Sequence, residues 1–287
     1  MLNSIINAFT KGDIKGLDAK LLHSAYWSQH NAKLYGSEKL NTIVGNFLSL
    51  VGKVTIIPRQ SIRQDNYYVI HLVLEPENSS SNVNYILWLE TDQQLIKSVN
   101  SIIDTVQLAT LSNLSVQSIS DNLPTADPLV ISDYDQQDHL QNELAWPSNL
   151  ITGNDKKIKI LDQWWSIWIQ RQLANIDKVY AENALVSLPG QAEQSNRQGI
   201  FDFVLSVTSK LTRVFTQIED IVIEDTHVAI KWFLDGDESS AKVRLPFFTV
   251  LEIDNGQIVS DTTVCDILSF NKYFNQSRIF DHISPDL

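Results

Sequence analysis

The sequence predicts an α+β protein of two tandem domains, each with helices at its N-terminal end followed by an antiparallel sheet. An internal repeat is the first observation, because residues 89–106, LETDQQLIKSVNSIIDTV, align without a gap with residues 251–268, LEIDNGQIVSDTTVCDIL. The aligned residues are 162 positions apart, so that Asp104 pairs with Asp266. The second observation is that helical periodicity precedes strand alternation in both halves. The chain also has 287 residues and a hydrophobic share of 43%, which is enough for two separate cores.

The first half begins with a helical segment that the pair Gly12-Asp13 ends. The pattern then predicts a second helix over 14–22 and a third over 36–51. Strands are predicted over 53–63, 66–75, 83–91 and 95–108, with a hairpin loop over 77–82 and a turn at 92–94.

The second half opens with a wide apolar stripe at helical spacing over 158–173. A short helix is predicted over 177–184, a turn at Pro189-Gly190 and an amphipathic helix over 199–215. Strands follow over 217–224, 226–234, 241–253 and 258–270. The turn at 235–237 is predicted from Asp-Gly-Asp, and the last hairpin from Asn255-Gly256, a strong two-residue turn signal.

The predicted domains cover 1–110 and 156–287, and residues 111–155 form an acidic connector between them. Residues 111–155 contain seven acidic side chains, three prolines and neither Lys nor Arg. Such a composition is typical of a linker, although a connector of this length usually packs against something. A solvated tether and a docked segment are both compatible with it.

Composition and charge exclude several function classes. The net charge of −12 and a pI near 4.8 argue against nucleic-acid binding, since no basic run is present to neutralise phosphates. Cys265 is the single cysteine, which excludes an intramolecular disulfide and a cysteine-based zinc site. No stretch approaches the roughly 18 apolar residues of a membrane helix, and the N-terminus lacks signal-peptide features. We therefore expect a cytoplasmic protein that does not associate with membranes.

Three local features resemble the nuclear-transport-factor-2-like superfamily, which includes SnoaL-like polyketide cyclase-like and ketosteroid isomerase-like proteins. Residues 171–190, RQLANIDKVYAENALVSLPG, are similar to the family's opening helix, short helix and first strand, and 10–30 are a looser version. Residues 254–268, DNGQIVSDTTVCDIL, resemble its closing hairpin, whereas the first copy has Gln93-Gln94 in place of Asn-Gly. The resemblance covers roughly 5–110 and 156–275.

The resemblance implies two cone-shaped, cystatin-like domains, each with an apolar pocket between helices and a curved sheet. Members commonly form homodimers through the sheet. We therefore expect that the tandem copies form an intramolecular pseudo-dimer and that the chain is a monomer. Some members are enzymes and others only bind, and the fold does not decide between them.

Asp104 and Asp266 are the candidate catalytic residues. Counting by two along the last strand places Asp266 on one face with Ile258, Ser260, Thr262, Val264 and Leu268. A carboxylate that faces a pocket loses hydration, which raises its pKa toward the range in which it exchanges protons. The alternative is that both acids lie at strand ends, solvated or accepting backbone hydrogen bonds.

Aromatic residues supply the candidate ligand-binding side chains. In the second copy, Trp164, Trp168 and Tyr180 could form an aromatic wall for a flat ligand, although tryptophans at helical spacing are more often core. In the first copy the corresponding candidates are Trp27, His30 and Tyr35, which lie where the family lines its pocket entrance.

Two function classes remain. One is a protein that binds a small apolar molecule or serves as an interaction surface. The other is a cofactor-independent cyclase, isomerase or hydratase that uses a pocket Asp as acid–base. We expect neither a metal nor another cofactor, because the sequence has no His-x-x-x-His pair, phosphate loop or dinucleotide fingerprint.

Overall fold

The computed structural model describes residues 1–29, 32–35, 44–45, 54–76, 82–112, 115, 118–119, 155–191, 195–239, 241–274 and 277–283. Within these ranges the chain forms two α+β domains, each with its own sheet, so the predicted fold class is confirmed. The predicted helix over 36–51, the loop over 77–82 and the connector over 111–155 lie largely outside the described residues.

The first domain contains a short N-terminal helical pair, a sheet and a C-terminal helix. Its elements are α1 (Leu2–Lys11), α2 (Ile14–Asp18), β1 (Leu21–Gln29), β2 (Ala32–Tyr35), β3 (Val54–Gln64), β4 (Tyr67–Pro76), β5 (Val83–Asp92), β6 (Leu95–Ile103) and α3 (Thr105–Ser112). The apolar stripe of α1 buries Ile5, Ala8 and Phe9. This burial of one helix face is the main stabilisation of so short a helix.

The second domain repeats this order with a longer first helix. Its elements are α4 (Asp155–Ile169), a 3₁₀ turn (Leu173–Asn175), α5 (Ile176–Val179), β7 (Tyr180–Ser187), α6 (Arg197–Ser209), β8 (Val214–Glu224), β9 (His227–Glu238), β10 (Ala241–Asp254), β11 (Gln257–Val264) and α7 (Ile267–Tyr273). The buried face of α4 includes Leu161, Trp164 and Trp168.

The five strands common to the two sheets have the same order, and the first sheet has β2 as an additional edge strand. The first is β2-β1-β6-β5-β4-β3 and the second is β7-β11-β10-β9-β8. Each is mixed rather than purely antiparallel, because β1 pairs in parallel with β6, and β7 pairs in parallel with β11. The remaining pairs are antiparallel, which follows from their hairpin connections.

Irregularities recur at equivalent places in the two sheets. A register shift between Glu90 and Thr91 opposite β6 matches one between Glu252 and Ile253 opposite β11. Each shift leaves one extra residue on the last strand, Lys97 in the first domain and Val259 in the second. Such bulges re-aim the side chains that follow them. The repeat therefore extends to backbone details that composition does not reveal.

The two sheets face each other through an apolar cluster of ten buried residues, five from each domain. The five pairs at equivalent positions are Ile62 and Val222, Val69 and Ala229, Ile86 and Phe248, Trp88 and Val250, and Ile102 and Val264. Hydrogen bonds reinforce this contact, since the backbone N–H of Arg63 donates to Glu224 and that of Ile223 donates to Gln64. The helices cover the opposite face of each sheet.

Several predicted boundaries are wrong. Helices predicted over 14–22 and 177–184 end at Asp18 and Val179, because the residues that follow enter the strands β1 and β7. The turn predicted at 235–237 lies inside β9. Asp235 is buried there in an ion pair with Arg244 at 2.6 Å, and Gly236 allows the backbone of Arg213 to approach closely.

The closing strands also end earlier than predicted. β6 ends at Ile103 and β11 at Val264, and in each case the chain turns into a short helix that the sequence analysis missed. The cause is the carboxylate that follows each strand. Asp104 and Asp266 accept hydrogen bonds from the backbone N–H three residues ahead, which is the geometry of a helix N-cap.

Candidate functional site

A buried hydrogen-bonded chain crosses the interior of the second domain. The indole N–H of Trp164 on α4 donates to the Tyr180 hydroxyl at 2.9 Å. The Tyr180 hydroxyl in turn donates to Oδ2 of Asp261 at 2.5 Å. Thr263 donates to the other oxygen of that carboxylate at 2.8 Å. The carboxylate is thus held from two sides in a region closed to solvent, where charge-assisted hydrogen bonds are strong.

The same chain continues across the sheet. Thr263 and Thr249 share a hydrogen bond of 3.0 Å between their hydroxyls, and the indole N–H of Trp232 donates to Thr249 at 3.0 Å. Polar groups from α4, β7, β11, β10 and β9 are therefore connected. The network runs from Trp164 to Trp232, and each of these five elements contributes a side chain to it.

Aromatic rings surround this network. Trp168 lies 5.0 Å from Trp232 and 5.9 Å from Phe247 between ring centroids, and Trp232 stacks on Phe247 at 4.6 Å. Trp164 packs against Trp232 edge to face at 5.8 Å. Contacts of this kind add to the hydrophobic stabilisation of a core. The tryptophans and the carboxylate together form what we call the Asp261 centre: Trp164, Trp168, Tyr180, Trp232, Thr249, Asp261 and Thr263.

Burial controls the protonation of the Asp261 centre. Desolvation raises the pKa of Asp261 to about 6, against the opposing effect of the hydrogen bonds from Tyr180 and Thr263. Burial together with the neighbouring carboxylate raises the pKa of Tyr180 well above its usual range. Tyr180 therefore keeps its proton and acts as a donor. Asp261 changes protonation near neutral pH, as a general acid or base must.

The bulge at Val259 explains why Asp261 faces inward. It shifts the alternation of β11, so that Asp261 and Thr263 face the helices while Ser260 and Thr262 face the first domain. Uninterrupted counting by two groups Ser260 and Thr262 with the core residue Ile258, and it therefore places Asp261 on the wrong face. The signal in the sequence is the repeat, because Asp261 aligns with the apolar Val99 of the first copy, which indicates an inward position.

Asp104 and Asp266 lie elsewhere, where the two domains meet. Oδ1 of Asp104 accepts from the Gln107 backbone at 2.9 Å, and Oδ2 accepts from the Gly190 backbone of the other domain at 2.6 Å. Oδ1 of Asp266 accepts from the Ser269 backbone and from the hydroxyl of Thr105 across the junction at 2.8 Å. Each carboxylate therefore caps a helix and joins the two domains.

Asp104 is buried to the point that its ionisation is disfavoured. Desolvation raises its pKa to about 7, with a smaller contribution from the nearby charge of Asp266, while the backbone N–H groups of Gln107 and Gly190 act in the opposite direction. Asp104 and Asp266 come from different domains and are near each other because the domains pack together at this junction. Asp104 gives the junction a titratable group near neutral pH.

The aromatic candidates divide between the two domains. Trp164, Trp168 and Tyr180 are brought together in the Asp261 centre. Trp27 is buried in the first domain, where its indole N–H donates to Ser101 at 2.8 Å. Tyr35 is 59% exposed on the edge strand β2, beside Tyr26. His30 lies outside the described residues.

The described part of the chain contains neither a cluster of metal-binding side chains nor a membrane-spanning helix. No group of three or more His, Cys, Asp or Glu side chains there is arranged to hold a metal ion. Within the same residues, no helix combines the length and apolar character needed to cross a bilayer.

Comparisons with known proteins concern the second domain and the fold. No curated protein sequence matches the chain. A candidate polyketide cyclase from Bacillus cereus is 16% identical over 42% of this chain and 80% of its own, with a TM-score of 0.39. IdmH from Streptomyces antibioticus, also described as a candidate polyketide cyclase, is 14% identical over 41% of this chain and 97% of its own, with a TM-score of 0.38. Residues 161–261, which lie in the second domain, match the family model of the SnoaL-like domain.

Proposed function

We propose that the chain is a pseudo-dimeric protein that binds one small, largely apolar molecule at the Asp261 centre of its second domain. The observation that carries this proposal is the buried Tyr180–Asp261 pair inside an aromatic interior. A buried carboxylate with a raised pKa is costly to keep and is concentrated at functional sites.

The first domain supports this interpretation because it folds without a carboxylate at the equivalent position. The strand pairings match Tyr180 with Leu21, since both face the same position of the last strand. The spacing of 162 residues matches Asp261 with Val99, which is fully buried. The fold therefore does not require a carboxylate there, and a role in binding accounts for its presence in the second domain.

The chemistry of the Asp261 centre defines the ligand class. Indole and phenyl rings favour a flat, apolar body. The single O–H of Tyr180 already donates to Asp261, whereas the carboxylate has lone pairs left to accept, so the ligand carries a hydroxyl group that donates to Asp261. Because the rings pack closely, a bound ligand shifts at least one tryptophan, which changes its fluorescence.

The contact between the sheets supports the pseudo-dimer. Five equivalent positions from each domain meet in one apolar cluster, as in a two-fold interface formed by a single chain. The chain then has no need of a second copy to cover its sheets. Light scattering on the purified protein is expected to give the mass of one chain, and an obligate dimer that buries the open sheet faces would contradict this.

The binding experiment titrates flat polycyclic probes, such as hydroxylated anthraquinones and steroids, while tryptophan fluorescence is recorded. Asp261→Asn and Tyr180→Phe are expected to weaken binding of a hydroxylated probe about tenfold, because each removes one hydrogen-bonding group. Tyr85→Phe is the matched control, since it removes a buried phenol hydroxyl from the first domain and is expected to leave binding unchanged. Absence of any quenching, or equal losses in all three variants, would argue against the site.

A second candidate function is a cofactor-independent isomerase or cyclase that uses a carboxylate as acid–base. The observation in its favour is the pKa of Asp261, about 6, beside a proton-donating phenol. Asp104 and Asp266 remain proposed alternatives for that role. Incubating each bound probe with the protein and recording its mass and chromatographic retention over time distinguishes the two functions, because only an enzyme converts the probe.

A further inference from the structure

A cavity of about 360 Å³ opens between the two domains and is separate from the Asp261 centre. Arg59, Gln60, His71 and Asn84 line it from the first domain, and Ser187 and Thr262 line it from the second. We call it the junction cleft. Its walls come from β3, β4 and β5 on one side and from β7 and β11 on the other, so it exists only when the domains are joined.

The walls of the junction cleft are held by hydrogen bonds. Asn84 accepts from the ring Nε2 of His71 at 2.9 Å and donates to the Ser187 hydroxyl of the second domain at 2.8 Å. Burial lowers the pKa of His71 to about 4, with Asn84 opposing this and Arg59 adding to it. The imidazole is therefore neutral at physiological pH, and the donors and acceptors of this wall are fixed in place before any ligand arrives.

Charge in the junction cleft is positive. Among the described residues that line it, Arg59 is the one with a formal charge, and the others are amides, hydroxyls, the neutral His71 and aliphatic side chains. Arg59 contacts Glu75 at 3.5 Å, but both side chains are exposed and such a pair is weak. Its guanidinium can therefore turn to a ligand at little cost, in a protein whose net charge is −12.

The equivalent side of the domain contact has a different chemistry. The strand pairings match Arg59 with Glu219, Gln60 with Asp220 and His71 with Lys231. There, Lys231 pairs with Glu219 at 2.8 Å, and Trp88 donates from its indole to Asp220 at 3.2 Å. Charges on that side satisfy one another, and a tryptophan occupies the contact. The counterpart of Trp88 is Val250, which leaves more room on the side of the cleft.

We propose that the junction cleft binds a small hydroxycarboxylate, with Arg59 holding the carboxylate and the amides and hydroxyls of the wall holding the hydroxyl groups. A guanidinium matches a carboxylate in two parallel hydrogen bonds. The remaining lining supplies both donors and acceptors, which a hydroxyl needs. Among the described residues the lining has no Phe, Tyr or Trp, so an apolar or stacking ligand is disfavoured. The site is independent of the function proposed for the Asp261 centre.

Calorimetric titration with citrate, tartrate and gluconate tests the proposal on the full chain. At least one of them is expected to bind with one site per chain, and trimethyl citrate, which keeps the skeleton without charge, is expected not to. Arg59→Gln is expected to weaken binding about tenfold or more. Gln60→Glu, which adds a carboxylate to the lining in a similar shape, is expected to abolish detectable binding.

Arg63→Gln is the matched control. Arg63 lies on the same strand and carries the same charge, but its guanidinium lies over the Tyr68 ring at 4.9 Å and does not line the cleft. This variant is expected to bind like the wild type. Failure of all three hydroxycarboxylates to bind, or equal weakening by Arg59→Gln and Arg63→Gln, would overturn the proposal. Circular dichroism and the thermal midpoint of each variant establish that a loss of binding is not a loss of folding.

Discussion

The interiors of the two domains differ far more than their backbones do. Strand order, bulges and hairpin turns correspond, yet the first domain has Leu72, Leu87 and Val99 where the second has Trp232, Thr249 and Asp261. All six side chains are buried. One scaffold therefore accepts either an apolar core or a polar network at the same positions. The polar network is an addition to the second domain rather than a requirement of the fold.

The two junction carboxylates, Asp104 and Asp266, follow a different pattern. Both domains have an acid at the equivalent position, and what differs is the group of the other domain that donates to it. Thr105 supplies the hydroxyl that meets Asp266, whereas a backbone N–H at Gly190 meets Asp104. An acid at both equivalent positions fits a role in capping the helix that follows and in joining the two domains. The difference teaches that equivalent acids in a repeat can share a capping role, whereas the acid specific to one copy is the one for which we propose a role in binding.

The largest effect is expected when the interior of the first domain is given the acid of the second. Val99→Asp places a carboxylate at a fully buried position that lacks an equivalent of Tyr180. The free energy of unfolding is expected to fall by about 4 kcal/mol, because a buried unpaired charge is strongly destabilising. Val99→Thr, which keeps the shape, separates the effect of charge from that of polarity in urea denaturation. A loss below about 1 kcal/mol for Val99→Asp would show that the interior of the first domain accommodates a carboxylate as well as the interior of the second domain does.

The next effect is the pH dependence that Asp261 gives to the second domain. Its folded pKa of about 6 is above the ordinary 3.8, so protonation favours the folded state. The resulting stability is complete below about pH 4 and is lost as pH rises to about 6, a change of about 3 kcal/mol. Asp261→Asn cannot ionise and is expected to lack this part of the loss.

Urea denaturation of both proteins from about pH 4 to about pH 8 measures this difference. The wild-type free energy of unfolding is expected to decrease relative to that of the variant through this window. Asp104, with a pKa of about 7, contributes a similar loss to both proteins and therefore cancels in the comparison. Parallel profiles for the two proteins would show that Asp261 is not desolvated.

The fold was predictable from the sequence because hydrophobic periodicity and the repeat report it directly. The tryptophan stripe of α4 and the Asn255-Gly256 hairpin appear where they were expected. What could not be predicted depends on contacts distant in sequence. The helix after Ile103 continues an apolar alternation and is indistinguishable from a strand, and Asp235 is held inside β9 by Arg244.

The candidate site was predictable in part. The aromatic side chains Trp164, Trp168 and Tyr180 were identified, but the carboxylate beside them was not. A single extra residue, Val259, reverses the face of every side chain after it, and nothing in the local sequence announces that bulge. Counting by two along the strand therefore identifies the strand but does not identify Asp261, the acid that faces the helices.

A moderate effect is expected at the domain junction, where the two capping acids have different partners. Thr105→Val removes a hydroxyl that donates to Asp266 and accepts from the Leu268 backbone at 3.1 Å, and the equivalent residue of the other domain is Ile267. A loss of about 1–3 kcal/mol is expected, because a buried N–H loses its acceptor. In a double-mutant cycle with Asp266→Asn, coupling of about 1 kcal/mol would identify Asp266 as a structural residue. If Asp266→Asn instead changes probe binding with stability unchanged, Asp266 belongs to a ligand site.

The smallest effect is expected at the two closing hairpin turns, where the copies differ in sequence but share one conformation. Gln93 and Gln94 have φ angles of 47° and 69°, and Asn255 and Gly256 have φ angles of 49° and 82°. This left-handed region is unfavourable for residues with a Cβ, and glycine adopts it freely. Gln94→Gly is therefore expected to stabilise the first domain by about 0.5–1 kcal/mol, and Gly256→Gln to destabilise the second by a similar amount.

No neighbouring atom lies within 4 Å of a Cβ built on Gly256, so the second change isolates backbone strain from packing. Thermal and urea unfolding of the two variants measure these opposite shifts. Equal signs for the two changes would show that the turns are not equivalent despite their matching angles.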